Sequence, residues 1–299
     1  MTPPLPYLQR IRDYYQALGY GAPYRFAQVE EVPFQPPSKP LTQSKVVIVT
    51  TAALYHPDKG EQGPGAPYNG AAKFFEVYSR PSTEDPDLRI SHIAIDRAHT
   101  TAEDQNSYFP LNALRKLEQL GEIGSIAPRF HGLPTNRSQD TTRNVDCVEL
   151  VRRCQEDGAD IALLVPNCPV CHQSVSLAAN ALEAAGIAAV ISGCAKDIVE
   201  HVGVPRFLFN DFPLGNAAGP PHEPEVQLQI ARQALNLAIS ATAPRTTEMS
   251  PFDWPGAADW KRDYSNAALL SKEEIVHRRR EFEQAKKDSP KKPTRARQS

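Results

Sequence analysis

The clearest signal in the chain is a series of short, continuous apolar runs separated by stretches of helical periodicity. KVVIVTT (Lys45 to Thr51) is rich in β-branched residues on both faces, the pattern of a strand buried from two sides. RISHIAI (Arg89 to Ile95) reads as a second strand. Leu111, Leu114, Leu117 and Leu120 fall at helical spacing after Pro110, with Gly121 as the stop. A further helix is expected from about Asn144 to Asp157. Beyond Gly158 the alternation becomes regular. Strand DIALLVP (Asp160 to Pro166) leads through NCPVCH into a helix from about Cys171 to Ala185. Strand IAAVIS (Ile187 to Ser192), a helix near Ala195 to Val202, strand VPRFLFN (Val204 to Asn210) and a helix over about Glu223 to Ser240 follow. Strands alternating with helices predict an α/β fold with a doubly wound, mainly parallel sheet of the Rossmann or flavodoxin-like kind.

The flanks differ. Residues 1–44 read as a peripheral N-terminal extension with a short helix from about Leu5 to Leu18 and the Pro-rich stretch VPFQPPSKP. Residues 45–240 form the catalytic body, either one unit or two similar halves, 45–143 and 144–240. Residues 241–299 carry aromatic anchors in MSPFDWPGAADW, expected to dock on the body, then a charged helix and a basic tail.

Composition narrows the classes. In 299 residues the formal net charge is -2, so no global basic field points to nucleic acid. No apolar run is long enough for a transmembrane helix, and the N-terminal stretch lacks the apolar centre of a secretory signal. The five cysteines have no framework spacing, which favours reduced thiols and a cytoplasmic location.

The chemistry concentrates at Cys168-Pro169-Val170-Cys171. It follows a buried strand and opens a helix, at the strand end where open α/β sheets bind ligands. Helix N-terminal amides stabilise a thiolate there, and a second thiol three residues on can resolve an adduct on the first. The competing readings are two small buried residues or half of a zinc site, but Cys147, Cys154 and Cys194 supply no second pair at short spacing. Cys194, itself after a strand, is either a further redox partner or a buried residue. His92 and Asp96 suggest an acid/base pair, or metal ligands together with Cys168, against a plain loop-pinning network; His99 is a less well placed alternative. His56, with Gly60, Gly63 and Gly65 in the long loop ALYHPDKGEQGPGAPYNG, could line a substrate carboxylate, as could Asn106, His172 and Asn216.

At these residues the chain resembles the glycine/sarcosine/betaine/D-proline reductase selenoprotein B family. The similarity runs through VVIVTTAALYHPDKGEQG, SHIAIDR with EDQNSYFPLNAL, and GEIGSIAPRFHG. It continues in GADIALLVPNCPVCHQSVSLAANALEAAGI and VPRFLFNDFPLGNAAG, over roughly residues 45 to 220. The resemblance implies an active-site selenocysteine or cysteine at Cys168 with Cys171 as companion, and it directs attention to His92, Asp96 and Asn106. It implies reductive cleavage of small amino-acid-like substrates, with electrons from a thiol carrier and a pyruvoyl partner subunit in such systems. The expected protein is therefore a cysteine-dependent reductase of a small, carboxylate-bearing molecule. It would need an external dithiol donor and no other cofactor, with zinc as a minor option and a homo-oligomer or partner subunit as assembly. Two rivals stay open: a non-reductive, metal-assisted or metal-free desulfhydrase or hydrolase attacking a C=S or C–N carbon, and a non-catalytic thiol-sensing subunit.

Overall fold

The computed structural model describes residues 2–257 and 259–288. In chain order the strands are β1 (Lys45–Thr50), β2 (Ala53–Leu54), β3 (Tyr78–Pro81), β4 (Leu88–Arg89), β5 (Ser125–Ile126), β6 (Arg129–Gly132), β7 (Ile161–Val165), β8 (Ala188–Gly193), β9 (Arg206–Phe209) and β10 (Thr246–Met249). The helices are α1 (Tyr7–Ala17), α2 (Leu111–Gln119), α3 (Gln139–Thr141), α4 (Cys147–Glu156), α5 (Pro169–Ala184), α6 (Lys196–Val202), α7 (Pro224–Ser240), α8 (Trp260–Asp263) and α9 (Lys272–Asp288).

One sheet runs β10-β9-β8-β7-β1-β6-β3, with β5 also on β1. All its pairings are parallel except β3 with β6 at one edge. Every residue of β7, β8 and β9 is buried, as expected for strands covered on both faces. Val46 and Ile48 of β1 join a core that includes Leu114 of α2 and Leu235 of α7, while Val47 and Val49 join the opposite core with Leu150 of α4 and Val175 of α5. Each such aliphatic side chain contributes about 1.5–3 kcal/mol through burial. The doubly wound, mainly parallel sheet expected from the alternation is thus formed. Strands from both stretches of the body, 45–143 and 144–240, lie in it.

From β1 the chain moves to β5 and β6 on one side. It then returns to β7 on the other side and steps outward through β8, β9 and β10. The carboxyl ends of β1 and β7 therefore border the point where strand order reverses, a crevice suited to a ligand. Local bonds hold the two exits together: Asn167 donates from its backbone N and its Nδ2 to Thr51 Oγ1, both at 3.1 Å.

Several expectations change. RISHIAI does not continue as a strand beyond Arg89; residues 93–95 turn instead. Arg97 takes the place of a ladder partner there, donating to the carbonyls of Ala66 (2.9 Å), Ile93 (3.3 Å) and His92. The long loop after β1 has internal order, because Gln62 Nε2 donates to the carbonyls of His56 (2.7 Å) and Gly60 (3.0 Å). The N-terminal segment is packed rather than peripheral. Leu5, Tyr7, Leu18 and Ala27 are buried, Ala27 N donates to Gln173 Oε1 (2.7 Å), and Val29 N donates to the Val202 carbonyl (2.8 Å). The aromatic anchors after residue 241 do dock, with Trp260 and Tyr264 in the core and Tyr264 donating from its hydroxyl to the Ala94 carbonyl. The charged helix is α9; the basic tail, residues 289–299, lies outside the described residues.

The first turn of α5 is fixed by a buried imidazole. His172 Nδ1 bonds the Cys168 carbonyl (2.8 Å), while Nε2 accepts from the backbone N–H groups of Cys194 (3.0 Å) and Ala195 (3.1 Å). Two converging donors require a lone pair on Nε2, so the ring is neutral with its proton on Nδ1. Burial pushes its pKa down to about 4, against the opposing hydrogen bond to Cys168. Between that value and the ordinary histidine value of about 6.5, the unfolded chain binds a proton that the folded protein does not. The resulting stability is present above that window and is lost as pH falls through it. His172→Gln is expected to cost roughly 1–3 kcal/mol at neutral pH by leaving buried N–H groups unpaired. It should also reduce, without abolishing, the acid-side slope, since His92 and His131 are likewise held at about 4. Denaturant titrations at neutral and mildly acid pH check this, and an unchanged slope contradicts it.

At the antiparallel edge, Gly132 of β6 sits opposite Tyr78 of β3, whose ring covers it, and the Tyr78 hydroxyl donates to the Ala52 carbonyl (2.6 Å). A methyl group at position 132 would collide with that ring. Gly132→Ala should therefore lower stability by about 1–3 kcal/mol; a variant that melts like the parent would show the contact to be loose.

Candidate active site

β7 ends at Val165, and Pro166 and Asn167 carry the chain over the sheet edge. Cys168 then caps α5 in an extended conformation (φ -134°, ψ 169°) and Pro169 occupies the first helical turn. That proline has a preset φ and no N–H to leave unpaired, which suits a helix start. The Cys168 sulfur accepts from the backbone N–H of Cys171 at 3.2 Å. The two cysteines form a disulfide across a Cα–Cα separation of 4.9 Å. Thr135 Oγ1 lies 3.3 Å from the Cys171 sulfur on its other side. The two sulfurs are not equivalent. Cys168 is 2% exposed and forms part of a cavity wall, whereas Cys171 is 0% exposed and lies behind it.

That cavity has a volume of about 1150 Å³. Cys168, Pro169 and Val170 form one wall, and Ser91, His92, Ile93 and Ala94 another, so the turn that replaced the expected strand faces the cysteines' crevice. His92 is half-buried, and its buried Nδ1 has no hydrogen-bond partner. Burial, reinforced by the Arg97 guanidinium, pushes the His92 pKa down to about 4. It is therefore neutral at pH 7 and a weaker base than an exposed histidine. Thr135 and Arg137, in the segment after β6, also line the cavity, and Thr135 is in contact with Cys171.

The other expected site residues lie elsewhere. Asp96 does not pair with His92. Its carboxylate bonds the ring Nδ1 of His99 at 3.0 and 3.1 Å, because the chain turns at 96–100 and brings residue i+3 over the carboxylate. Burial raises the Asp96 pKa, opposed by His99. None of His56, Asn106, His172 and Asn216 is among the described residues that line the cavity. The His56 backbone is tied up by Gln62. Asn106 donates from Nδ2 to Asp104 Oδ1 (2.8 Å), inside a turn that Asp104 caps. Asn216 donates from Nδ2 to Thr100 Oγ1 (2.8 Å) and the Pro213 carbonyl (3.0 Å). His172, one residue past Cys171, is buried and engaged with backbone groups of Cys168, Cys194 and Ala195. Cys194 is buried, with its thiol pKa raised by burial, and Cys147 and Cys154 are pushed up to about 12 for the same reason. Among the described residues no three His, Cys, Asp or Glu side chains are placed to hold a metal ion together, so His92, Asp96 and Cys168 are not assembled as ligands.

The sequence reading missed much of the cavity's lining. Tyr15, Tyr20, Tyr24 and Phe26 come from the N-terminal segment, and Tyr68, Lys73 and Phe75 from the loop after β1. The available signal was a cluster of aromatic residues in otherwise Pro- and Gly-rich stretches. Only the tertiary path brings them opposite Cys168.

No family model matches the chain, and no solved structure matches it. Among curated proteins it is similar to the D-proline reductase subunit gamma of Acetoanaerobium sticklandii, 27% identical over 231 residues that cover 75% of this chain and 92% of that protein. It is also similar to the glycine reductase complex component B subunit gamma of Symbiobacterium thermophilum, 24% identical over 68% of this chain and 48% of the relative. The sarcosine reductase complex component B subunit beta of Peptoclostridium acidaminophilum is 23% identical over 77% of this chain and 52% of its own length. The chain thus spans about half the length of the latter two. These relatives agree with the motifs spread through the body: the chain is similar to subunits of D-proline, glycine, sarcosine and betaine reductases.

Proposed function

We propose that this chain is a cysteine-dependent reductase subunit that cleaves a bond in a small, carboxylate-bearing molecule through Cys168 and Cys171. The observation that carries the reading is the placement of the two sulfurs, one on the wall of a large cavity and its partner directly behind it. After reduction, the Cys171 N–H that now meets the Cys168 sulfur is positioned to stabilise a Cys168 thiolate, helped by the α5 dipole. The thiolate attacks the heteroatom X of a substrate R–X. The bond breaks toward carbon, which takes a proton, giving R–H and a Cys168–S–X adduct. Cys171, as thiolate, then attacks the Cys168 sulfur and expels X, which leaves protonated as HX. The sum is R–X plus two thiols giving R–H, HX and the disulfide. An external dithiol restores the pair. His92, neutral and facing the cavity, accepts and passes on a proton within this sequence. The relatives are named as reductase subunits, two of them of reductase complexes, so a partner subunit fits the same reading.

Two outcomes follow. Thiol titration of the folded protein should gain the two groups of the Cys168–Cys171 pair on treatment with dithiothreitol, while Cys147, Cys154 and Cys194 stay unlabelled until denaturant is added. Across a panel of small carboxylate-bearing molecules with a carbon–heteroatom bond, any product should form in step with dithiol consumed. Cys168→Ser and Cys171→Ser should each lower turnover by roughly three orders of magnitude. Full activity in both variants would end the proposal. A desulfhydrase or hydrolase would consume no dithiol and place no demand on Cys171, and a sensor would show reactive thiols without turnover.

A further inference from the structure

The lining of the cavity carries information about its ligand that the cysteines do not. Four cationic side chains border it: Arg12 of α1, Arg25 of the following extended segment, Lys73 of the loop after β1, and Arg137 after β6. Among the described lining residues there is no aspartate or glutamate. A site for a free amino acid has to meet both a carboxylate and an ammonium group, and here nothing anionic is available for the second. The rest of the wall is aromatic. Tyr15, Tyr20, Tyr24 and Phe26 lie on the N-terminal side, and Tyr68, Phe74 and Phe75 on the other. The volume of about 1150 Å³ lies just above the range of about 300–1,000 Å³ for pockets that enclose drug-sized molecules, well beyond what a single small amino acid fills.

Aromatic faces can bind quaternary ammonium groups. Here, however, the protein's own cations already use two of them. Lys73 Nζ sits 5.0 Å from the centre of the Phe75 ring, and the Arg137 guanidinium 5.2 Å from that of Tyr24. A ligand cation would compete with these groups and be repelled by them. An anion is drawn to the same cations, and a flat apolar ring can stack or pack edge-on among the remaining faces.

We propose that the cavity binds an anionic ligand with a flat aromatic body and no ammonium group, its negative end toward Arg137 and Lys73 and its ring among the tyrosines and phenylalanines. This assignment concerns the substrate class of the site proposed above and rests on that reading for its place in a reaction. Binding, however, is measurable without turnover.

The test uses the full-length protein with its disulfide intact, titrated calorimetrically with 2-naphthoate, 2-naphthamide, D-proline, glycine and betaine. Naphthoate should bind at least about tenfold more tightly than the neutral amide and than each zwitterion. Its affinity should fall as salt is raised, because the cations lie near solvent. Arg137→Gln should weaken naphthoate about five- to tenfold, with Arg137→Lys recovering part of the loss. Circular dichroism melts identify any variant that fails to fold, and Arg25→Gln provides an independent position. Betaine or D-proline binding as tightly as naphthoate would overturn the assignment, as would naphthoate affinity unchanged by both arginine substitutions. Since the oxidised protein cannot turn over, a failure here leaves the reductase reading to its own test. Inactive chemistry, conversely, leaves this binding result standing.

Discussion

A neutral imidazole buried at the head of α5 holds three pieces of chain in register. His172 bonds the Cys168 carbonyl with one nitrogen and accepts two backbone N–H groups from the exit of β8 with the other. Through that ring the first turn of α5 is fixed relative to the sheet edge, and the position of the Cys168 sulfur follows from it. The β1 and β7 exits are clamped in turn by Asn167 on Thr51. The consequence is a rigid strand-to-helix turn at the reversal point of the sheet, where one sulfur borders open space and the other is packed behind it. A cysteine pair on a mobile loop would have no such asymmetry. Here Cys168 borders the cavity, while Cys171 is buried behind it against Thr135.

The cavity is built by segments far apart in sequence. α1 is anchored where Leu8 N donates to Asp197 of α6 at 2.8 Å, and the segment after it is pinned by Gln173, whose Oε1 accepts from Ala27 N and whose Nε2 donates to the Tyr24 hydroxyl. These bonds set tyrosines and arginines from the N-terminal segment over the cysteine turn. On the other side, Arg97 bonds the carbonyls around His92 and so holds the 91–94 turn against the same space. Lys73 links the positive lining to His92, since it lines the cavity and helps lower the imidazole's pKa. Burial, with the Arg97 and Lys73 cations nearby, keeps the imidazole unprotonated at neutral pH against an opposing hydrogen bond with the Thr51 backbone.

How much of this was legible in the sequence depended on how local each signal was. The buried strands β1, β7, β8 and β9 and the helices α2, α5 and α7 declare themselves by continuous apolar runs, helical spacing and the stops at Gly121 and Gly186. β5, β6 and β10 were not anticipated, because two to four residues with polar members leave no periodicity to detect. Arg89 to Ile95 looked like a strand by composition, yet Arg97, outside the run, supplied the hydrogen bonds that made a turn preferable. The dithiol turn could be placed from sequence because its neighbours in the chain are also its neighbours in space. The His92–Asp96 pairing could not, since which imidazole lies over Asp96 is decided by the turn at 96–100. The cavity's aromatic and cationic lining was hidden for a similar reason. On its N-terminal side it depends on hydrogen bonds between residues more than a hundred positions apart.

The account depends on Cys168 being the sulfur that meets incoming molecules and Cys171 the one that follows. The most direct measurement compares the reaction of the folded Cys171→Ser and Cys168→Ser variants with 5,5′-dithiobis(2-nitrobenzoate), each followed by intact mass and peptide mapping. Cys168 should label rapidly when Cys171 is removed, and Cys171 should label little or not at all when Cys168 is removed. Faster labelling of Cys171, or protection of both until the protein unfolds, would contradict it.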